Sequence, residues 1–147
     1  MILSDEITFE YLCQSELQKP NCNSSVKRVV SDVAGEDVFL SMITIGELSK
    51  GIALLDDGAR KTNLRLWLNG LEEGYASNII KTDKNTAHLW GELTARAQKQ
   101  GKIVPASNGL IAATTLQYGL YIVTRNIKDF EHTGALLINP WDADDSY

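Results

Sequence analysis

Residues 107–124 read Ser107-Asn108-Gly109-Leu110-Ile111-Ala112-Ala113-Thr114-Thr115-Leu116-Gln117-Tyr118-Gly119-Leu120-Tyr121-Ile122-Val123-Thr124. The Ala-rich half from Ser107 to Tyr118 reads as a helix. Gly119 then supplies the residue that closes a helix in the left-handed conformation. Leu120 to Thr124 is β-branched and aromatic and is bounded by turn residues, which makes it the strongest strand in the chain. A polar residue, Asn108, opens the helix, and Arg125-Asn126 follow the strand.

Upstream, Asp83 to Gln100 reads as a long helix stopped at Gly101, and a loop around Pro105 connects it to the Ala-rich helix. Asn78 to Thr82 reads as a short strand. Arg60 to Glu73 places Leu64, Trp67, Leu68 and Leu71 at helical spacing. Asp56-Asp57-Gly58 separates that helix from another, Ile45 to about Leu55, for which Thr44 is the expected cap and Glu47 stands three residues later in the capping-box position. Val38 to Ser41 reads as a strand preceded by a Gly35-Glu36-Asp37 turn. At the start, an apolar run from Met1 to Leu3 meets Asp5. Ile7 to Lys19 then looks helical and ends before Pro20. After a loop from Asn21, Ser24 or Ser25 can cap a further helix to about Ala34. Downstream, a loop carries Arg125, Asn126, Asp129 and Phe130, and a last strand from Ala135 to Ile138 runs into Asn139-Pro140-Trp141. Short apolar strands alternating with helices predict an α/β domain with a mostly parallel sheet. No internal repeat or low-complexity tract interrupts it.

At 147 residues the chain suits one domain, and 44% apolar with 22% charged residues are globular values. Fourteen Lys and Arg against nineteen Asp and Glu give a net charge of −5, which argues against coating nucleic acid with cations. Three of the acids, Asp142, Asp144 and Asp145, lie in the C-terminal tail, so the count says little against an RNA substrate. Cys13 and Cys22 form neither a disulfide scaffold nor a paired-ligand spacing. The start lacks the basic and apolar regions of a signal peptide, and no window is apolar enough to span a membrane. The reading is a soluble, cytoplasmic protein without a membrane partner.

Ligands of an open parallel sheet bind beyond the carboxyl ends of its strands. The polar residues expected there are Asp5, Glu47, Asn108, Arg125, Asn126 and Asp129. Carboxylates brought together repel unless a cation sits among them, and an all-oxygen cluster suits magnesium or manganese. Position alone leaves each residue a plain structural alternative. Asp5 can cap a helix, Glu47 can complete a capping box with Thr44, Asn108 can be a cap or turn residue, and Asp129 can bond its own loop. His88 and His132 stand in no ligand spacing. Trp67 and Trp90 read as core or partner-facing residues, and Arg60, Lys61 and Arg65 as a solvated helix face that can also line an RNA path.

The chain resembles PIN-domain ribonucleases of the VapC toxin family, in the branch that includes FitB-like proteins. The carrying stretches are Met1 to Asp5, Ser15-Glu16-Leu17-Gln18-Lys19-Pro20 and Phe39-Leu40-Ser41-Met42-Ile43-Thr44-Ile45-Gly46-Glu47-Leu48. Asn108 to Thr114, Val123 to Phe130 and Asn139-Pro140-Trp141 complete them. The resemblance implies a PIN-like fold over residues 1–141, a central parallel sheet of about four to five short strands flanked by helices, followed by an acidic tail over 142–147. It implies an endoribonuclease that uses Mg2+ or Mn2+, with Asp5, Glu47 and Asn108 at the metal and Asp5, Glu47, Asn108 and Asp129 in catalysis. Arg125 and Asn126 would contact substrate. Its implied partners are RNA, a cognate antitoxin and a second copy in a homodimer.

Two departures stand out. After Asp5 the family continues Thr-Asn-Val, whereas this chain inserts a longer spacer, Glu6 to Gln14, before Ser15-Glu16-Leu17, which makes Glu10 a second candidate for the first acid. Asn108 stands where the family usually has Asp. Two unit charges about 4 Å apart interact by roughly 4 kcal/mol at an effective dielectric of about 20, before desolvation. An amide there predicts weak or absent nuclease activity.

Overall fold

The computed structural model describes residues 2–3, 38–124 and 126–139. The proposed helices over 7–19 and 24–34, the turn at 35–37 and the tail from 140 onward lie outside the described residues.

Five short strands are described: β1 (Ile2–Leu3), β2 (Leu40–Ser41), β3 (Ile79–Ile80), β4 (Tyr121–Val123) and β5 (Leu136–Ile138). Four helices join them: α1 (Met42–Ala53), α2 (Ala59–Gly74), α3 (Lys84–Lys99) and α4 (Ala106–Tyr118). Every strand pair is parallel, as the alternation of strands and helices predicts. The expected single sheet is not what the described residues form. They make a three-stranded sheet, β1-β4-β5, and a separate pair, β2-β3, with β1 and β2 close in space but not joined in a ladder. Strands of two or three residues offer few ladder hydrogen bonds, so side-chain burial, not the ladder, sets this arrangement.

That burial is two-sided. Ile122 and Val123 are adjacent in β4 and both fully buried, yet belong to different clusters. Successive side chains of a strand point to opposite faces. Val123 meets Val38, Leu40, Leu48, Ile52, Trp67, Leu68 and Leu71, which come from β2, α1 and α2 and their approach. Ile122 meets Leu93, Ile111, Ala112, Ala113 and Phe130, which come chiefly from α3 and α4. β4 is therefore covered by helices on both faces, which explains its unbroken apolar run.

The helix starts follow local chemistry, with one correction. Ser41, not Thr44, caps α1: its backbone is extended (φ −79°, ψ 143°) and its hydroxyl accepts from the Ile43 N–H at 3.1 Å. β2 runs straight into α1, so the helix begins earlier than the spacing predicts and Thr44 falls inside its first turn, buried. Glu47 is then past the first turn and is no capping-box partner. The other boundaries sit close to their predicted positions, and Gly119 adopts the left-handed conformation (φ 66°) that closes α4.

α3 starts with a reciprocal cap. Asp83 accepts from the Thr86 N–H at 3.0 Å, and the Thr86 hydroxyl accepts from the Asp83 N–H at 3.2 Å. Gln117 of α4 donates to both Asp83 oxygens at 3.1 Å, tying the end of α4 to the start of α3. The Thr86 N–H, then the Gln117 amide, hold the Asp83 carboxyl below its ordinary range against a small opposing effect of burial. A carboxyl lowered in the folded state stabilises it fully above the unfolded value of about 3.9, and the contribution fades as pH falls through the lower folded value. Asp83→Asn is therefore expected to be less stable than the parent chain at pH 6, with the gap closing towards pH 2–3. Thermal unfolding of both proteins across that range checks it.

Candidate functional site

Parallel pairing fixes which edge carries the site. Leu3 pairs with Val123 and Val123 with Ile138, so the carboxyl ends of β1, β4 and β5 lie level. Ser41 pairs with Ile80 and likewise ends β2 and β3 together. β2 delivers α1 directly from that edge, placing Glu47 in the second turn. β4 ends in the loop that holds Asn126 and Asp129. α4 precedes β4 through the tight Gly119 turn and runs back along it, so its first turn, with Asn108, returns to the same edge.

Among the predicted site residues, Glu47 and Asn108 are the pair on directly packed elements, since α1 and α4 contact each other. Both side chains are half-buried, and among the described residues neither makes a hydrogen bond or ion pair. A half-buried carboxylate with no cationic partner is costly unless something neutralises it. Asp129 is exposed, in a short 3-10 turn (Ile127–Asp129) held by its own N–H to the Asn126 carbonyl at 3.0 Å. Its loop alternative thus holds for the backbone, while its carboxylate is free of described partners. Asn126 is also exposed, and its N–H donates to the Thr124 hydroxyl at 3.0 Å, which fixes the turn leaving β4. Asp5, Glu10 and Arg125 lie outside the described residues.

The donors suit a hard cation in kind: one carboxylate from Glu47 and one amide oxygen from Asn108. They are too few to enclose it. Among the described residues no group of three or more His, Cys, Asp or Glu comes together. His132 lies 3.2 Å from Glu131, an adjacent surface contact, and His88 is exposed. Lys61 is engaged by Asp57 at 3.2 Å and by the Ala53 carbonyl at 3.3 Å, leaving Arg60 and Arg65 exposed beside it on α2. Trp67 is core, and Trp90 is half-buried against the α3–α4 cluster. No described helix is long and apolar enough to cross a membrane.

The chain is 34% identical over 131 residues to the toxin FitB of Neisseria gonorrhoeae, covering 86% of this chain and 92% of that one. The chain belongs to the VapC toxin family, in its FitB-like branch. A VapC ribonuclease, Y4jK of Sinorhizobium fredii, is 32% identical over 87% of this chain and 92% of its own length. The crystal structure of FitAcB from Neisseria gonorrhoeae superposes with a TM-score of 0.82 at 30% identity, covering 95% of this chain and 97% of that one. No protein-family model matches the chain.

Sequence reasoning missed Ser41 and gave its capping role to Thr44. Thr44 is fully buried on the Glu47 side of α1, and its hydroxyl has no partner among the described residues. The available signal was the Ser41-Met42 junction, where a strand ends on a good capping residue. Ser41→Ala is expected to cost about 1 kcal/mol through the lost cap. Thr44→Val, which replaces an unpartnered hydroxyl by a methyl of similar volume, is expected to be neutral or stabilising by up to about 1 kcal/mol. Urea unfolding of the two variants separates the caps: equal losses would restore Thr44 to that role.

Proposed function

We propose that this chain is the toxin of a type II toxin–antitoxin pair, an endoribonuclease that depends on Mg2+ or Mn2+ and is weakened by Asn108. The observation that carries the reading is the half-buried Glu47, with no ionic partner among the described residues, on a helix packed against the one that opens with Asn108. The relatives' names, a ribonuclease and a toxin, support the reaction class. The domain would span 1–141, the tail 142–147 would lie outside it, and the protein would act in the cytoplasm as a homodimer with an antitoxin partner.

Glu47 and Asn108, together with Asp5, would hold the cation. When bound, the cation polarises a phosphodiester and lowers the pKa of the attacking water. The chain's own residues do the rest. The Glu47 carboxylate draws positive charge to the edge of the sheet and can accept a proton from a nearby water. The Asn108 amide offers its carbonyl oxygen to a cation and its NH2 to a phosphate oxygen, at the cost of one negative charge. Asn126 and Arg125, on the loop leaving β4, would hold a neighbouring phosphate, Arg125 through its planar fork. Asp129, exposed at the rim, would assist proton transfer to solvent.

The neutral Asn108 also favours a second reading, a non-catalytic module that binds an antitoxin or RNA without cutting it. Magnesium-dependent cleavage of structured RNA separates the two. Asn108→Asp is expected to raise cleavage by about tenfold or more, each tenfold corresponding to ~1.4 kcal/mol of transition-state stabilisation. Glu47→Gln in that background is expected to remove it by about a hundredfold or more. Equal rates for the parent and Asn108→Asp would end the impairment reading; no cleavage by either, with intact folding, would leave the non-catalytic module.

A further inference from the structure

α4 is fastened at its two ends by different physics. Its last turn is tied through Gln117 to Asp83 and Thr86 by hydrogen bonds. Its first turn has no such tie. Pro105 occupies the cap position without a side-chain hydrogen bond, and its carbonyl accepts from the Gly109 N–H at 2.9 Å. What that turn does have is a steric stop. A Cβ on Gly109 would stand 2.9 Å from Cδ1 and 3.0 Å from Nε1 of Trp90, and 3.5 Å from the Thr94 hydroxyl. Among the described glycines, Gly109 is the one whose Cβ would collide. The indole is half-buried and packs against the cluster that holds Leu93, Ile111 and Ala112, which restricts its swing. Trp90 and Thr94 are one turn apart on α3, and their buried Nε1 and Oγ1 atoms have no described hydrogen-bond partner. The contact is therefore one of shape: an indole edge seated where α4 has no side chain.

We propose that Trp90 is a positioning residue whose edge, seated on Gly109, sets where the first turn of α4 places Asn108. The significance of that placement rests on the metal role assigned to Asn108 above. Carbon atoms pack at about 3.5–4.0 Å, so an added Cβ must push the turn off Trp90 by roughly 0.5–1 Å. Metal–ligand distances tolerate only about 0.2 Å. A shift tolerable for packing is thus too large for a ligand on the adjacent residue.

A double-mutant cycle with two readouts tests this. Amide resonances of Asn108, backbone and side chain, are followed in labelled protein, and Mg2+ is titrated into the parent chain, Gly109→Ala, Trp90→Leu and the double variant. Gly109→Ala is expected to move the Asn108 resonances and weaken Mg2+ binding by about tenfold, with both effects much reduced when Trp90→Leu makes room. Leu71→Ala, a core truncation in the opposite cluster, is expected to lower the melting temperature yet leave both readouts in place. Should Gly109→Ala fail to fold, Trp90→Leu alone carries the test, since removal of the stop must itself move the Asn108 resonances. Unmoved Asn108 resonances, or shifts that Trp90→Leu does not relieve, would overturn the proposal. A cycle that holds in the resonances while the parent chain binds no Mg2+ would keep the positioning role and remove the metal reading.

Discussion

The burial of β4 on both faces is the constraint from which the remaining architecture follows. Ile122 and Val123 are each 0% exposed, so helices must lie on both sides of a strand only three residues long. A strand that short gains little from its ladder and much from the two clusters it joins. Helices must then leave and return at its ends, and with parallel pairing the chain leaves β2 and β4 at the carboxyl edge, to which the first turn of α4 also returns. The candidate site is a consequence of how the core is closed, not an addition to it.

The same constraint explains why the helix layer beside Ile122 is built from small residues. Ala112 and Ala113 are fully buried, and Gly109 lies one turn before them on α4. This row lets α3 approach closely, and Trp90 fills the space at the end nearest the sheet edge. Large-to-small and small-to-large changes along this row are not symmetric. Truncating Leu93 leaves a cavity that the helices partly close, whereas enlarging Gly109 has no relief except movement of the turn.

Much of this was legible in the sequence because it rests on local signals. The Gly119 turn, the β4 run, the Leu64-Trp67-Leu68-Leu71 face and the start of a helix at Asp83 each depend on residues within one or two turns. α1 was misjudged at its start because Ser41 and Thr44 are both competent caps, and only the pairing of Ser41 with Ile80 shows where extended backbone ends. The division of the strands into a three-stranded sheet and a pair was not legible either, since ladder formation between β1 and β2 depends on distances that no spacing encodes. For the site, the sequence placed Glu47 and Asn108 at one edge of one sheet, while the packing of their helices, and the lack of a described ionic partner for Glu47, needed coordinates. The Trp90–Gly109 contact joins residues nineteen apart across two helices, and a lone Gly in a helix does not announce its partner.

Asn108 and Gly109 together show how a site and its support respond differently to substitution. Asn in place of Asp at position 108 differs in charge but hardly in shape, so on the proposed reading any effect would fall on cation binding and not on the fold. Exchanging Gly for a larger residue at position 109 preserves charge but moves backbone, so the loss passes through geometry to the same neighbour. With a neutral residue at 108 and a close fit at 109, the placement of that turn is left to packing against Trp90. The fit between Trp90 and Gly109 also serves stability, because Trp90 packs against the cluster that buries Ile122. The side chain at 108 makes no described hydrogen bond or ion pair, so on the proposed reading a change of charge there would act on cation binding and leave the fold unchanged.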